Sequence, residues 1–274
     1  MNINTKHIIY NPDGSALRRD QLELLRMLKV VDDICKANNI EWWLSSGTLL
    51  GAARHKGFIP WDDDMDIVLL KKDYKRLEKI LCNYKSEEFV FHCYKTDVDY
   101  VNSFGKFRKR KGSINSASHR YAYYKWKGIG FDIFAIEKTN YFAAYVADKV
   151  YKKTQKYTSH LDIAWIRKPL IRIIEFINWD ILCPILRVIG WIFNPNQEYH
   201  YTLGTGWPKH TFYMKYTFPL TTSEFEGEMM PVPKDMDSYL TNVYGDWRIP
   251  PTQEQIKKSI HCQEYRDEIF GKGQ

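Results

Sequence analysis

The sequence predicts a mixed α/β fold of the α+β kind, with one sheet core flanked by helices and carrying a helical insertion. Two observations predict it. Apolar runs of strand length recur at 40–44, 65–70, 89–95, 103–109 and 130–136, separated by turn-forming residues and by segments with helical spacing. From 161 to 193 the chain is instead rich in Ile, Leu, Trp and Phe over a length that no single strand reaches. A chain of 274 residues can bury a sizeable core as one domain, or as one domain with an insertion. It divides into a core over 1–140, a helical insertion over 141–204 and a C-terminal segment over 205–274 that completes the core.

Leu22, Leu25, Leu28, Val31 and Cys35 recur at helical spacing, so the chain opens with an amphipathic helix able to cover a sheet. Residues 40–44 read as a short buried strand, Ser45 to Gly47 as a turn and 48–54 as a short helix, with Gly51 where backbone must approach something closely. Gly57-Phe58-Ile59-Pro60 breaks the chain before the apolar run at 65–70, which carries acids at its entrance. A second helix is expected over 73–81. The segments 89–95 and 103–109 read as paired strands joined through 96–100.

The chemistry is signalled by a glycine turn set just ahead of clustered carboxylates. Side chains alternate faces in an extended segment, so Asp64 and Asp66 point the same way and can share a divalent cation; Asp62 joins them if the strand begins early. With Asp63, four like charges fall within five positions and repel strongly unless a cation or several donors neutralise them. An acidic run on an exposed loop is the alternative. Backbone amides at the start of the short helix favour an anion. Gly130-Phe131-Asp132-Ile133-Phe134-Ala135-Ile136 is a strand pattern with one carboxylate, which is costly to bury without a charge partner; a helix cap or an edge-strand acid is the other reading.

This order of elements resembles the nucleotidyltransferase superfamily, in which a glycine with a small hydroxyl residue precedes a strand bearing two acids and a third acid lies on a later strand. The run from Gly47-Thr48-Leu49-Leu50-Gly51 through Trp61-Asp62-Asp63-Asp64-Met65-Asp66 resembles more closely the signature of the LicD family, the bacterial phosphocholine transferases related to fukutin and fukutin-related protein. Further agreement comes from 130–136 and from Phe225-Glu226-Gly227, Val232-Pro233, Tyr239-Leu240-Thr241 and Tyr244-Gly245-Asp246 ahead of Pro250-Pro251. The resemblance covers about residues 15–136 and 205–262 and leaves the middle uncovered. Ala135 stands where the family often has proline.

The resemblance implies a nucleotidyltransferase-like core in which Asp62, Asp64, Asp66 and Asp132 hold Mg²⁺ (or Mn²⁺), with Asp64, Asp66 and Asp132 catalytic. It implies that Gly47, Thr48 and Arg54 meet donor phosphates, with Lys106 and then Arg108 as basic partners. The activity implied is transfer of phosphocholine, or a similar phospho-substituent, from a CDP-linked donor to a hydroxyl of a cell-surface glycan or its lipid-linked precursor, with release of CMP. His55 and Lys56 either contact substrate or are merely exposed. The donor substituent stays open: choline needs a cation-accepting aromatic pocket, and Trp126, Tyr123 and Trp207 are among many aromatics.

Composition bounds the remaining classes. The net charge of +7 needs nucleic acid, an anionic membrane surface or phosphorylated substrates as a partner class. The cluster from Lys106 to Lys111 puts Lys106 and Arg108 on one strand face, while Lys109 to Lys111 equally suit a solvated edge that blocks aggregation. No nucleic-acid partner is expected. Cys35, Cys82, Cys93, Cys183 and Cys262 lack metal-ligand spacing and read as reduced thiols in a cytoplasmic compartment. Residues 1–20 lack the apolar centre of a signal peptide.

Between 161 and 193, Arg167, Lys168, Arg172, Glu175, Asp180 and Arg187 interrupt the apolar residues, and no uncharged stretch reaches the roughly 20 residues that span a bilayer. Spanning is therefore not expected. Trp165, Trp179 and Trp191 beside basic residues suit a helix lying in the membrane interface, on the inner face of the cell membrane; a helical insertion buried on the core is the alternative. Two other functions fit parts of the pattern. A nucleotide-sugar glycosyltransferase shares the DxD but releases a nucleoside diphosphate, and a non-catalytic membrane- or nucleic-acid-binding module would show salt-sensitive binding without a metal effect.

Overall fold

The computed structural model describes residues 9–113, 119–194 and 197–271. Helix α1 (Ala16–Ala37) starts at Ser15, whose side chain accepts the Arg18 amide. Its inner stripe is Leu17, Gln21, Leu24, Met27, Leu28, Val31 and Cys35. Leu28, Val31 and Cys35 thus face inward as their spacing predicts, whereas Leu22 is exposed. Gln21 belongs to the inner stripe because its amide donates to the carbonyls of Ile59 and Asp62, at 3.3 and 2.8 Å. The opening helix therefore holds the acidic loop as well as covering the sheet.

Strand β1 (Trp43–Leu44) is shorter than expected, and helix α2 (Ser46–His55) begins two residues earlier, taking in Ser46 and Gly47 of the expected turn. Strand β2 (Asp66–Leu70) follows, then α3 (Lys71–Cys82), β3 (Phe89–His92), β4 (Gly105–Lys109) and the long β5 (Gly130–Thr139). The order is β1-β2-β5-β4-β3, with β2 and β5 parallel and the other pairs antiparallel. Strand β6 (Glu198–Tyr201) pairs with the C-terminal part of β5, so residues within 141–204 also supply sheet. Trp43, Phe107, Phe131 and Ile133 have no exposed surface and fill the space beneath the helices.

After β5 come α4 (Tyr141–Thr158), capped by the Asn140 side chain, and α5 (Ala164–Phe176). The latter continues through a π-helical turn (Ile177–Leu182) into α6 (Cys183–Phe193), giving one long helix. By length and apolar composition Trp165–Phe193 is sufficient to cross a bilayer, contrary to the expectation drawn from its charges. Over 176–193 only Asp180 and Arg187 are charged, which leaves that part of the helix apolar. Arg167, Glu175 and Arg187 lie on the stripe turned to the protein, where Asp99 meets Arg167, Trp179 donates to Glu175 and Glu137 accepts from Arg187.

The outward stripe carries Trp165, Ile173, Phe176, Ile185, Trp191 and Phe193, with Trp165 78% and Phe193 83% exposed. The long helix is thus packed on the core along one side and unburied along the other.

The C-terminal segment adds α7 (Met214–Thr217), the hairpin β7 (Thr221–Phe225) and β8 (Glu228–Val232), then α8 (Met236–Tyr244), α9 (Gln253–Ser259) and α10 (Gln263–Phe270). Glu226 and Gly227 both have positive φ at the hairpin tip. From there the Glu226 carboxylate accepts from the Phe58 amide and twice from Arg18, fixing the loop that leads to the acids.

Candidate active site

The sheet register builds the site. Asp66 on β2 is opposite Asp132 on β5, and Asp132 is opposite Lys106 on β4, so two acids and a lysine form one row across three strands. Asp64 joins from the loop before β2. One carboxylate oxygen from each of Asp64, Asp66 and Asp132 lies within 4.8 Å of the others. The Lys106 ammonium is 3.0 Å from Asp132. Thr48 on α2 accepts the Asp66 amide at 2.8 Å, which ties the glycine turn to the acidic strand.

Asp62 is on the same wall but outside the close group of three. Its carboxylate approaches the backbone of α2 so closely that a Cβ at Gly47 would stand 2.6 Å from Asp62 Oδ2. Gly51 is equally constrained, since a Cβ there would fall 2.4 Å from the Gly57 carbonyl oxygen. Asp63 turns the other way. Its oxygens accept from the Cys262 amide at 2.6 Å and from the His261 amide and Nδ1 at 3.2 and 3.1 Å. One acid of the run is therefore a strap for the C-terminal segment.

The electrostatics reflect this crowding. Burial, reinforced by Asp64 and Asp132, drives the Asp66 carboxyl well above the usual carboxylate range. Burial raises Asp132 to about 6 against the opposing pull of Lys106, and raises Asp62 to about 8 with help from Asp64 and Asp63. For Lys106, burial works against the charged form, but Asp132 and Asp64 outweigh it and its pKa is raised. A single ammonium beside three converging acids leaves excess negative charge. An all-carboxylate donor set on that spacing suits a hard divalent cation such as Mg²⁺ or Mn²⁺.

The acids face a cavity of about 380 Å³, lined on its other sides by Ser46, Gly47, Phe134, Tyr201, Trp207 and Tyr244. A second, more open cavity of about 720 Å³ shares Gly47, Asp62, Tyr244 and His261 with it and adds Arg54, Trp61 and Trp247. Arg54 donates to the Trp247 carbonyl at 3.1 Å. Arg108 lines neither cavity, although its charge acts on Asp132: it is buried, and its guanidinium donates to the Gly128 carbonyl at 2.6 Å and to the Tyr121 hydroxyl at 2.8 Å. His55 packs edge-on against Trp61, and Lys56 ends α2 in the left-handed region.

Tyr201, His210, Tyr244 and His261 were not marked as site residues by the sequence, because none sits in an acidic or glycine-rich motif. Only Tyr244 had a local signal, as part of the C-terminal resemblance. Of the three aromatics weighed for a cation pocket, Trp207 alone lines the acidic cavity. Trp126 packs on His92, and Tyr123 lies beneath Arg167 with 3.4 Å between the guanidinium carbon and the ring centre.

An acid at the head of one strand and another in the loop before it, beside a third acid on the parallel neighbour and preceded by a glycine-led helix, define a nucleotidyltransferase-type site. The family comparison agrees: residues 39–185 match the model described as LicD/FKTN/FKRP, nucleotidyltransferase domain, and the chain belongs to that family. It is 26% identical over 272 residues to the lipopolysaccharide cholinephosphotransferase LicD of Haemophilus influenzae, a match covering 91% of this chain and 97% of that protein. Over 52 residues it is 38% identical to the human ribitol 5-phosphate transferase FKRP, which is 19% of this chain and 10% of that one.

Proposed function

We propose that the protein is a LicD-type phosphotransferase that moves phosphocholine, or a similar phospho-substituent, from a CDP-linked donor to a hydroxyl of a cell-surface glycan or its lipid-linked precursor. The observation that carries this reading is the convergence of Asp64, Asp66 and Asp132, with Lys106 paired to Asp132, on the wall of a cavity that adjoins a larger one through Gly47 and Asp62. Asp64, Asp66 and Asp132 would hold the divalent cation, which when bound neutralises diphosphate charge and polarises the phosphorus–oxygen bond that breaks. Arg54 faces the larger cavity, where a nucleoside and its phosphate have room beside Trp61 and Trp247. In the reaction the acceptor oxygen bonds to the distal phosphorus, the bond from that phosphorus to CMP breaks, and a carboxylate of the cluster takes the hydroxyl proton. The purified chain is incubated with CDP-choline, a glycan acceptor and Mg²⁺. Release of CMP together with a phosphocholine-bearing product supports the reading; release of CDP, or consumption unaffected by chelation, defeats it.

The same proposal places the enzyme at the cytoplasmic face of a membrane, against anionic lipid. Support comes from the long helix, which turns Arg167, Glu175 and Arg187 to the protein and exposes Trp165, Ile173, Phe176, Trp191 and Phe193 beside the outward basic residues Lys168 and Arg172. Its flanks add charge complementarity. Over 141–193 eight Lys and Arg stand against four Asp and Glu, and Lys149, Lys153, Lys156, Lys168 and Arg172 are exposed. Co-sedimentation with phosphatidylglycerol vesicles that weakens in salt is the expected result. A stable dimer in solution that ignores vesicles would mean that a second copy covers this face.

A further inference from the structure

The acidic cavity has an aromatic end that phosphotransfer itself does not require. Phe134 projects into the cavity from β5, on the same strand face as Asp132 two residues before it. Tyr201 ends β6, and its ring is 5.4 Å from that of Phe134. Trp207 completes the group, with its ring 6.1 Å from Phe134 at 87° and 5.9 Å from Tyr201. All three rings line the cavity, so a cation seated against them there would lie within the roughly 6 Å over which an aromatic face attracts it.

Trp207 is held there at a cost. It is 57% exposed, yet its φ of +46° lies in the left-handed region, which bulky residues avoid. The loop that imposes this is fixed from below. Gly204 and Gly206 turn the chain with φ of +81° and +104°, and the Thr205 hydroxyl bonds to those of Thr202 and Ser103 at 3.0 and 2.7 Å. The Thr202 amide donates to the Ala135 carbonyl, one residue past Phe134. A large apolar ring kept in solvent, on strained backbone, by a bonded loop is a preorganised wall.

We infer that Phe134, Tyr201 and Trp207 form a subsite for a quaternary ammonium group, so that the substituent transferred is phosphocholine in preference to a polyol phosphate. This rests on the phosphotransfer reading above and adds donor selectivity to it. A trimethylammonium carries its charge on a large apolar surface and forms no N–H hydrogen bonds, so aromatic faces recognise it where carboxylates alone do not discriminate. A ribitol or glycerol substituent has hydroxyls to satisfy and gains little from three rings.

The test compares CDP-choline, CDP-ethanolamine and CDP-glycerol with the full chain, reading CMP release, for wild type, Trp207→Ala and Trp207→Phe. Wild type should favour CDP-choline. Trp207→Ala should raise KM for CDP-choline about tenfold and change the CDP-glycerol KM by less than about twofold, and Trp207→Phe should restore most of the difference. Equal effects on all three donors, or a wild-type preference for CDP-glycerol, would overturn the subsite while leaving phosphotransfer standing. If no CDP donor is consumed, the phosphotransfer reading fails instead. Calorimetric binding of phosphocholine against glycerol phosphate then decides the subsite, which stands if wild type binds phosphocholine selectively and Trp207→Ala loses that selectivity, and falls otherwise.

Discussion

The sheet core and the helical layer of 141–193 use apolar residues in opposite ways. In the core, large rings such as Trp43, Phe107 and Phe131 are wholly inaccessible, and the polar groups that matter, Asp64, Asp66, Asp132 and Lys106, are gathered around one cavity. In the layer, the buried cluster is small, built on Ala143, Ala144, Ala147, Cys183, Leu186 and Leu203, while the large residues Trp165, Trp191 and Phe193 face outward. The two are riveted at Glu137, which accepts from Lys71 on α3, Arg187 on α6 and the Leu203 amide. The core spends its burial on a unique fold. The layer withholds much of its own, which is the arrangement of a surface that meets another apolar phase.

The contrast predicts that chemistry and lipid binding separate cleanly by mutation. The largest effect belongs to Asp66→Ala: turnover measured by CMP release should fall by about 10³ or more at saturating Mg²⁺, with vesicle binding unchanged. Near wild-type turnover in this variant would remove the metal assignment. Next comes the converse. Trp191→Ser combined with Phe193→Ser should lower the fraction bound to anionic vesicles by more than about tenfold and leave CMP release from the donor, measured with a water-soluble acceptor, unaffected. If both variants shift both readouts, the two regions are not separable and the comparison breaks.

Lys106→Met is expected to act within the core alone, lowering turnover by about 10- to 100-fold because it removes the ammonium beside Asp132; vesicle sedimentation should not move. The smallest expected effect concerns the strap between Asp63 and the C-terminal segment. The Asp63 hydrogen bond raises the His261 pKa to about 9 from an ordinary 6.5. Its folded-state value is the higher one, so the stabilisation is full below pH 6.5 and is lost as pH rises through about 9. Melting temperature should therefore decline more between pH 7 and 9.5 in wild type than in His261→Ala; parallel profiles would show that the strap carries no charge-dependent stability.

Much of the site was legible because its signals are local. Asp64 and Asp66 converge as their spacing predicts, although Asp64 lies in the loop ahead of β2, Gly47 and Gly51 mark places where a Cβ does not fit, and a carboxylate amid Gly130 to Ile136 needed a partner, which Lys106 supplies. The rest depended on distant contacts. Asp63 is indistinguishable from its neighbours until His261, 198 residues away, is seen to bond it. Gln21 occupies the inner stripe of α1 because of carbonyls about 40 positions later, so spacing of leucines alone placed Leu22 wrongly. Arg108 shares a strand face with Lys106 by alternation, yet Gly128 and Tyr121 hold its guanidinium away from the cavity.

By itself the sequence determined the family signature, the glycine-then-acid order and the mixed sheet, because turn geometry, alternation and apolar spacing are properties of neighbouring residues. Tertiary structure decided which acids converge, which aromatic of the many reaches them, and which stripe of the long helix stays uncovered. Those choices are set by strand register and by the packing of segments far apart in the chain, and a linear pattern carries neither.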